Sequence, residues 1–139
     1  IIKITFTGFS TQQSFVHHFP LCRRGLIAGI MVGSIIHGFG GRIINISSGM
    51  GQLDEMNNGS TAYRISKTAL NALTKILSNE LLSMGIKVNT ICPGWVNTDM
   101  GGENATLTIE ESTSQIVAFA LRDNFPNGQF IRHGEIITW

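Results

Sequence analysis

The chain has 139 residues, 42% apolar and 14% charged, which is enough to bury one modest core and too hydrophobic for a disordered segment. A formal net charge of +1 leaves no basic footprint for nucleic acid. Cys22 and Cys92 stand seventy residues apart and His17, His18, His37 and His133 follow no ligand spacing, so no metal and no disulfide framework is expected, and a reducing compartment, the cytoplasm, fits.

Residues 1–40 form an atypical segment. Residues 1–41 carry only Lys3, Arg23 and Arg24 as full charges, the first carboxylate is Asp54, and the chain begins at Ile1. Either the natural start is missing or these forty residues are unusual. Ile1 to Phe6 suits a strand. Gly25 to Gly40 is apolar, with Gly25, Gly29 and Gly33 at the four-residue spacing of packed membrane helices. The apolar run holds only about sixteen residues and includes His37, against the roughly twenty that a bilayer requires. A buried helix is expected there rather than a membrane span, and the run starts too late for a signal peptide.

From Gly41 onward the pattern is regular. Arg42 to Ser47 is a β-branched run ending in small polar residues, a strand leading into a loop. Gly49 to Gly59 reads as that loop. Ser60 suits the N-cap of a helix to about Ser83, with Gly85 as its stop. Ile65, Ala69, Ala72, Leu73 and Ile76 form one apolar stripe and Leu70, Leu77 and Leu81 a second, wide enough to cover a sheet and meet another helix. Ile86 to Cys92 alternates and ends at Pro93-Gly94, a second strand joined to the first by a crossover between parallel strands. Thr108-Ile109-Glu110-Glu111 is a capping box ahead of a second helix containing Ile116, Val117, Phe119 and Leu121. Gln129 to Ile131 and Glu135 to Thr138 suit a last strand around Gly134.

Tyr63-Arg64-Ile65-Ser66-Lys67 carries the clearest chemistry. One helical turn sets Tyr63 and Lys67 side by side, about 6 Å apart along the axis. A phenol beside an ammonium is a proton donor with a lowered pKa. Ser47-Ser48 lies upstream, with Ser48 fifteen residues before the tyrosine, and Cys92-Pro93-Gly94-Trp95-Val96-Asn97-Thr98-Asp99 lies downstream. Taken singly, each motif has an ordinary structural explanation: a packed ring, a solvated lysine, a capped strand end, a turn. Cys92 itself reads as a buried strand-end thiol. All of the motifs in this order, followed by Asn104-Ala105-Thr106, Glu110-Glu111 and Trp139, resemble the short-chain dehydrogenase/reductase family, in its carbonyl reductase group. The resemblance covers residues 41–139, about 70% of the chain.

The resemblance implies a partial Rossmann-type, three-layer α/β domain with a parallel sheet, whose catalytic part is 41–139. It implies reduction of a ketone or aldehyde by hydride from NADP, with NAD as the alternative cofactor. Tyr63 would be the acid in reduction and the base in oxidation; its phenol, of ordinary pKa about 10, would be lowered by Lys67 and by an oxidised nicotinamide. Lys67 would also bond the cofactor ribose. Ser48 would hydrogen-bond the substrate carbonyl. The family separates this serine from the tyrosine by about thirteen residues, so the Gly49 to Gly59 loop would absorb the excess, and Ser47 is the weaker candidate. Pro93 and Gly94 would bring backbone to the nicotinamide at a strand's carboxyl end. Val96 and Thr98 would hold the carboxamide and pyrophosphate region, and Trp95 would wall the substrate pocket. The 60–83 helix resembles the one through which family members form homodimers.

Departures from the family concentrate near the start. The glycine-rich turn Thr-Gly-x-x-x-Gly-x-Gly begins at Thr7-Gly8, but Gln12 occupies the next glycine position. The Asn-Asn-Ala-Gly strand is absent, and residues 1–40 contain no asparagine for the family's catalytic tetrad. Full members run to roughly 250 residues. A sheet lacking that half exposes an edge. The chain is then a fragment, or residues 1–40 cover the edge, or a second copy does. Two functions follow: a truncated carbonyl reductase, or a catalytically inactive dimerisation or interaction module.

Overall fold

Three short strands pair in parallel at the centre of a five-stranded sheet. A computed structural model describes residues 41–139 and, as backbone, 32–36. The strand expected at Ile1 to Phe6, the Thr7-Gly8 turn and Gly25 to Met31 lie outside the described residues. In chain order the elements are β1 (Val32–Ile36), β2 (Gly41–Ile46), α1 (Thr61–Glu80), β3 (Lys87–Cys92), α2 (Ile109–Ala120), β4 (Phe130–Arg132) and β5 (Glu135–Ile137). Short 3-10 turns occupy Gly49–Gly51 and Leu82–Met84. The sheet order is β1-β2-β3-β4-β5. β2, β3 and β4 run parallel, with Ile43 opposite Val88 and Ile91 opposite Ile131, whereas β1 and β5 are antiparallel edges.

The parallel centre and the α1 crossover agree with the expected α/β class; the antiparallel edges make the sheet mixed. Residues 32–36 correct the expectation of a buried helix over Gly25 to Gly40. They pair with β2, Val32 opposite Asn45 and Ile36 opposite Gly41. Four residues separate β1 from β2, far fewer than the dozen or more that a parallel crossover needs, so the pairing is antiparallel. This strand pairs along the outer edge of β2.

Side chains alternate between two unlike faces. Ile44, Ile91 and Ile131 point toward α2 and cluster with Ile116, Phe119, Ala120 and Phe125. Phe119 and Phe125 are 1% and 2% exposed, and their rings lie 5.0 Å apart at a tilt. The face toward α1 is mixed: Val88 and Phe130, both 0% exposed, share it with a hydrogen-bonded set around Asn45. Asn45 donates Nδ2–H to Thr74 Oγ1 (2.9 Å), and the Thr74 hydroxyl donates in turn to the Leu70 carbonyl (2.9 Å). Thr90 donates to the Asn45 carbonyl (3.0 Å).

Accordingly α1 buries Arg64, Lys67, Leu70, Asn71, Thr74 and Ser78. The first apolar stripe does not cover the sheet: Ile65 is 63% and Ile76 53% exposed. The polar lining of β2 selects the opposite helix face, because buried hydroxyls and amides there are hydrogen-bonded in pairs. Ser60 stands at the N-cap position but in the left-handed region (φ 48°), without a side-chain cap bond. α1 ends at Glu80, and Gly85 (φ 71°) closes the following turn as expected. The capping box also forms, with Glu111 N–H to Thr108 Oγ1 (3.1 Å) and Thr108 N–H to Glu111 Oε2 (2.8 Å). Among the described residues no helix is long and apolar enough to cross a membrane.

Phe119→Ala is expected to lower stability by about 3–5 kcal/mol, through lost transfer energy and a cavity between α2 and the sheet. Urea unfolding followed by circular dichroism measures it; a loss below about 1 kcal/mol would mean that the α2 layer is not the main core.

Candidate active site

β2, β3 and β4 end at one edge of the sheet, where open α/β folds gather their reactive groups. Ser47-Ser48 follows β2, Cys92-Pro93-Gly94 closes β3, and Arg132-His133 closes β4. The first two turns of α1 bring Tyr63 and Lys67 to the same edge.

The two serines differ in what their hydroxyls do. Ser47 is 3% exposed and donates to the Lys67 carbonyl (3.3 Å). Ser48 is half-buried and N-caps the Gly49–Gly51 turn, its Oγ accepting from Met50 N–H (3.2 Å). That bond uses a lone pair and leaves the Ser48 proton for another acceptor. Gly51 lets the turn lie directly on α1: a Cβ there would come within 2.7 Å of the Lys67 carbonyl carbon and Cβ. The Gly51 carbonyl accepts from Thr68 Oγ1 (3.1 Å) and Asn71 Nδ2 (3.1 Å).

Lys67 is buried beside Tyr63. Its Nζ donates to the Ile46 carbonyl (3.1 Å) and lies 5.6 Å from the Tyr63 ring centroid. Burial lowers the ammonium pKa below its ordinary 10.5, and Cys92 partly opposes the shift. Tyr63 remains half-buried, open to a reactant.

The loop after β3 presents backbone. Gly94 adopts φ +82°, and a Cβ there would sit 2.5 Å from Leu107 Cδ1, so only glycine fits. Leu107 donates to the Trp95 carbonyl (3.0 Å) and accepts from Asn97 N–H (2.8 Å), an isolated parallel bridge opposite Val96. In such a bridge the N–H and C=O of Val96 itself face the other way. The Val96 carbonyl accepts from Thr98 Oγ1 (3.4 Å); among the described residues nothing accepts from its N–H. Thr98 Oγ1 also accepts from Gly101 N–H (3.2 Å). Trp95, 53% exposed, is oriented by its bond to the Gly101 carbonyl (2.8 Å). Ser112 of α2 anchors the loop by donating to the Pro93 carbonyl (2.8 Å).

Sequence reading missed two arginines. Arg64, 8% exposed, donates Nε–H to the Gly59 carbonyl (3.0 Å), Nη1–H to the Met50 carbonyl (3.4 Å) and Nη2–H to Asn57. It holds the long loop from inside, and an arginine between Tyr63 and Ile65 carries no local sign of that task. Arg132 holds the same loop from β4, bonding Glu55 (3.1 Å) across 77 residues of sequence.

Two results follow. Gly51→Ala should cost about 1–3 kcal/mol, since the added methyl meets helix backbone that cannot turn aside; unfolding and the α1 amide spectrum report it, and an unchanged variant would deny the close approach. Lys67→Met should be more stable than wild type at neutral pH. The buried ammonium penalises the fold while charged, and that penalty lifts as pH rises through the lowered pKa toward 10.5. The stability gap should therefore narrow in urea titrations at alkaline pH; a gap that widens would contradict the burial.

The family model for short chain dehydrogenases matches residues 22–107, more than half of the chain. Carbonyl reductase (NADPH) 1 of Oryctolagus cuniculus is 38% identical over 86 residues, 57% of this chain and 31% of that protein. The C-signal protein of Myxococcus xanthus is 42% identical over 72 residues, 51% of this chain and 43% of its own. The structure of carbonyl reductase Sniffer of D. melanogaster superposes with TM-score 0.66 at 42% identity, covering 70% of this chain and 41% of that one. An NADPH-bound carbonyl reductase from chicken fatty liver gives TM-score 0.63 at 33% identity, covering 70% and 42%. The chain thus spans less than half the length of each of these relatives. On the family-model match and on this likeness of sheet and crossover helix, the chain belongs to the short-chain dehydrogenase family.

Proposed function

We propose that residues 41–139 are the catalytic part of an NADPH-dependent carbonyl reductase acting on a small ketone or aldehyde. The observation that carries this reading is the buried Lys67 ammonium one turn from a half-open Tyr63, at the sheet edge where β3 ends in Cys92 and Pro93-Gly94 follows. The geometry fits the nicotinamide end of the cofactor. The Val96 N–H has no described partner and suits a carboxamide oxygen, the glycine at position 94 keeps the strand end slim, and Lys67 would bond a ribose hydroxyl as the family resemblance implies. Thr98 lies beside Val96, where the family would use it toward the pyrophosphate. NADP is preferred over NAD because the rabbit and chicken relatives are named or solved with NADPH.

The bound cofactor would supply the hydride. Negative charge then develops on the carbonyl oxygen, and this chain must neutralise it. The free proton of Ser48 would bond that oxygen, and Tyr63 would deliver a proton to it. Lys67 would stabilise the resulting phenolate, a task suited to an ammonium kept from water. Trp95 would wall the substrate side. The reading is of a cytoplasmic enzyme, in keeping with the cysteine pattern.

A second reading has its own support: an inactive interaction module pairing through α1. Ile65 and Ile76 remain exposed, and a groove of about 600 Å³ opens among Leu53, Met56, Ile65 and Ala69. An apolar helix face beside such a groove suits a second copy of the chain. A reductase could form the same homodimer.

Titrating the chain with NADPH, with energy transfer from Trp95 and Trp139 as signal, separates the two. The reductase reading expects saturable binding, turnover of a carbonyl panel, and a Tyr63→Phe variant that binds NADPH normally while losing about 10²–10⁴-fold in kcat. A folded chain that ignores millimolar NADPH and sediments as a dimer would leave the interaction module standing.

A further inference from the structure

The turn that presents Ser48 is three residues long, too short to hold its own geometry. Its outer side is fastened by β4 and by the residues after β5. Arg132, the last residue of β4, donates Nη2–H to Gln52 Oε1 (2.6 Å) and to Glu55 Oε2 (3.1 Å), and Nη1–H to Glu55 Oε1 (3.3 Å). The fork on Glu55 is bidentate, a geometry that a lysine cannot reproduce. Gln52, 4% exposed, donates in turn to Thr138 Oγ1 (2.8 Å), and Leu53 N–H bonds the Trp139 carbonyl (3.0 Å). Gly49 leaves room for the guanidinium: a Cβ there would come within 2.8 Å of Arg132 Nη2. Gly49 N–H bonds Cys92 Sγ (3.2 Å) from below.

We propose that Arg132 is a positioning residue for Ser48, clamping the Gly49–Glu55 loop through Gln52 and Glu55 so that the serine hydroxyl keeps one orientation. The clamp works alongside Arg64 but from the solvent side: the Arg132 side chain is 25% exposed and that of Glu55 55%. An ion pair so placed adds little to global stability. Its effect is local, and small displacements of a reacting group cost as much as 10²-fold in rate. The link to catalysis rests on the reductase reading; the ordering of the loop does not.

Two measurements on the full chain test this. Hydrogen–deuterium exchange of Arg132→Ala should quicken about tenfold or more at the amides of Gly49–Leu53, while Leu70–Thr74 of α1 stays as slow as in wild type. Glu55→Gln, which keeps the shape and removes the charge, should quicken the same amides less. In steady-state kinetics, Arg132→Ala should lower kcat about tenfold with little change in the KM for NADPH, and Arg132→Lys should recover only part of the loss. In a Ser48→Ala background, Arg132→Ala should cost nothing further, because it acts through that serine. Unchanged exchange at Gly49–Leu53 would overturn the clamp. Losses that add across the double variant would show Arg132 acting elsewhere. If wild type turns over no carbonyl yet the exchange result holds, the reductase reading has failed and the loop clamp has not.

Discussion

The structure turns on where one ammonium is kept. Lys67 lies in the seam between β2 and α1, its Nζ on the Ile46 carbonyl and beside the Tyr63 ring. A charge in that position is costly unless polar groups meet it. The Ile46 carbonyl meets the ammonium directly, while Ser47 fixes the Lys67 backbone through its carbonyl and Asn45, Thr74 and Thr90 continue the hydrogen-bonded layer away from the site. The hydrogen-bonded layer and the charged residue of the site are one construction. An apolar seam would pack equally well but would push the lysine out or neutralise it.

That construction has a structural counterpart on the other side of the sheet. Under α1 the polar contacts share the face with Leu70, Val88 and Phe130, so the larger apolar cluster lies elsewhere. It lies at α2 and the segment beyond it, where Phe119, Phe125, Ile116 and the inward isoleucines of three strands pack together. The division also explains the exposed stripe on α1. With the Arg64–Ser78 side on the sheet, Ile65 and Ile76 stand outside the core of the described residues.

Much of this was legible locally. β2, β3, the stop at Gly85, the Thr108–Glu111 capping box and the Tyr63–Lys67 pairing each depend on residues within one or two turns of one another, and each appears where the pattern put it. What stayed hidden depends on distant partners. The exposed stripe of α1 was indistinguishable from a core stripe until the polar lining of β2 was known. β1 read as helical because its glycine spacing was more conspicuous than its short link to β2. Arg64 and Arg132 drew no reading from their neighbours in sequence; their partners lie on a loop that gives no sign of how it folds.

The β1 pairing constrains any complete site. β1 begins opposite Asn45, near the edge where Ser47, Pro93 and Arg132 gather, and runs away from it to Ile36. A strand in the parallel sense would run toward that edge and add its carboxyl end to the crevice. Antiparallel β1 closes the β2 edge but brings no such end. On the proposed reductase reading, residues 41–139 would build the nicotinamide half of a dinucleotide site, whereas the phosphate half would need backbone donors at this same edge from outside the three parallel strands. Closing the sheet and completing the site are therefore separate requirements, and β1 meets only the first.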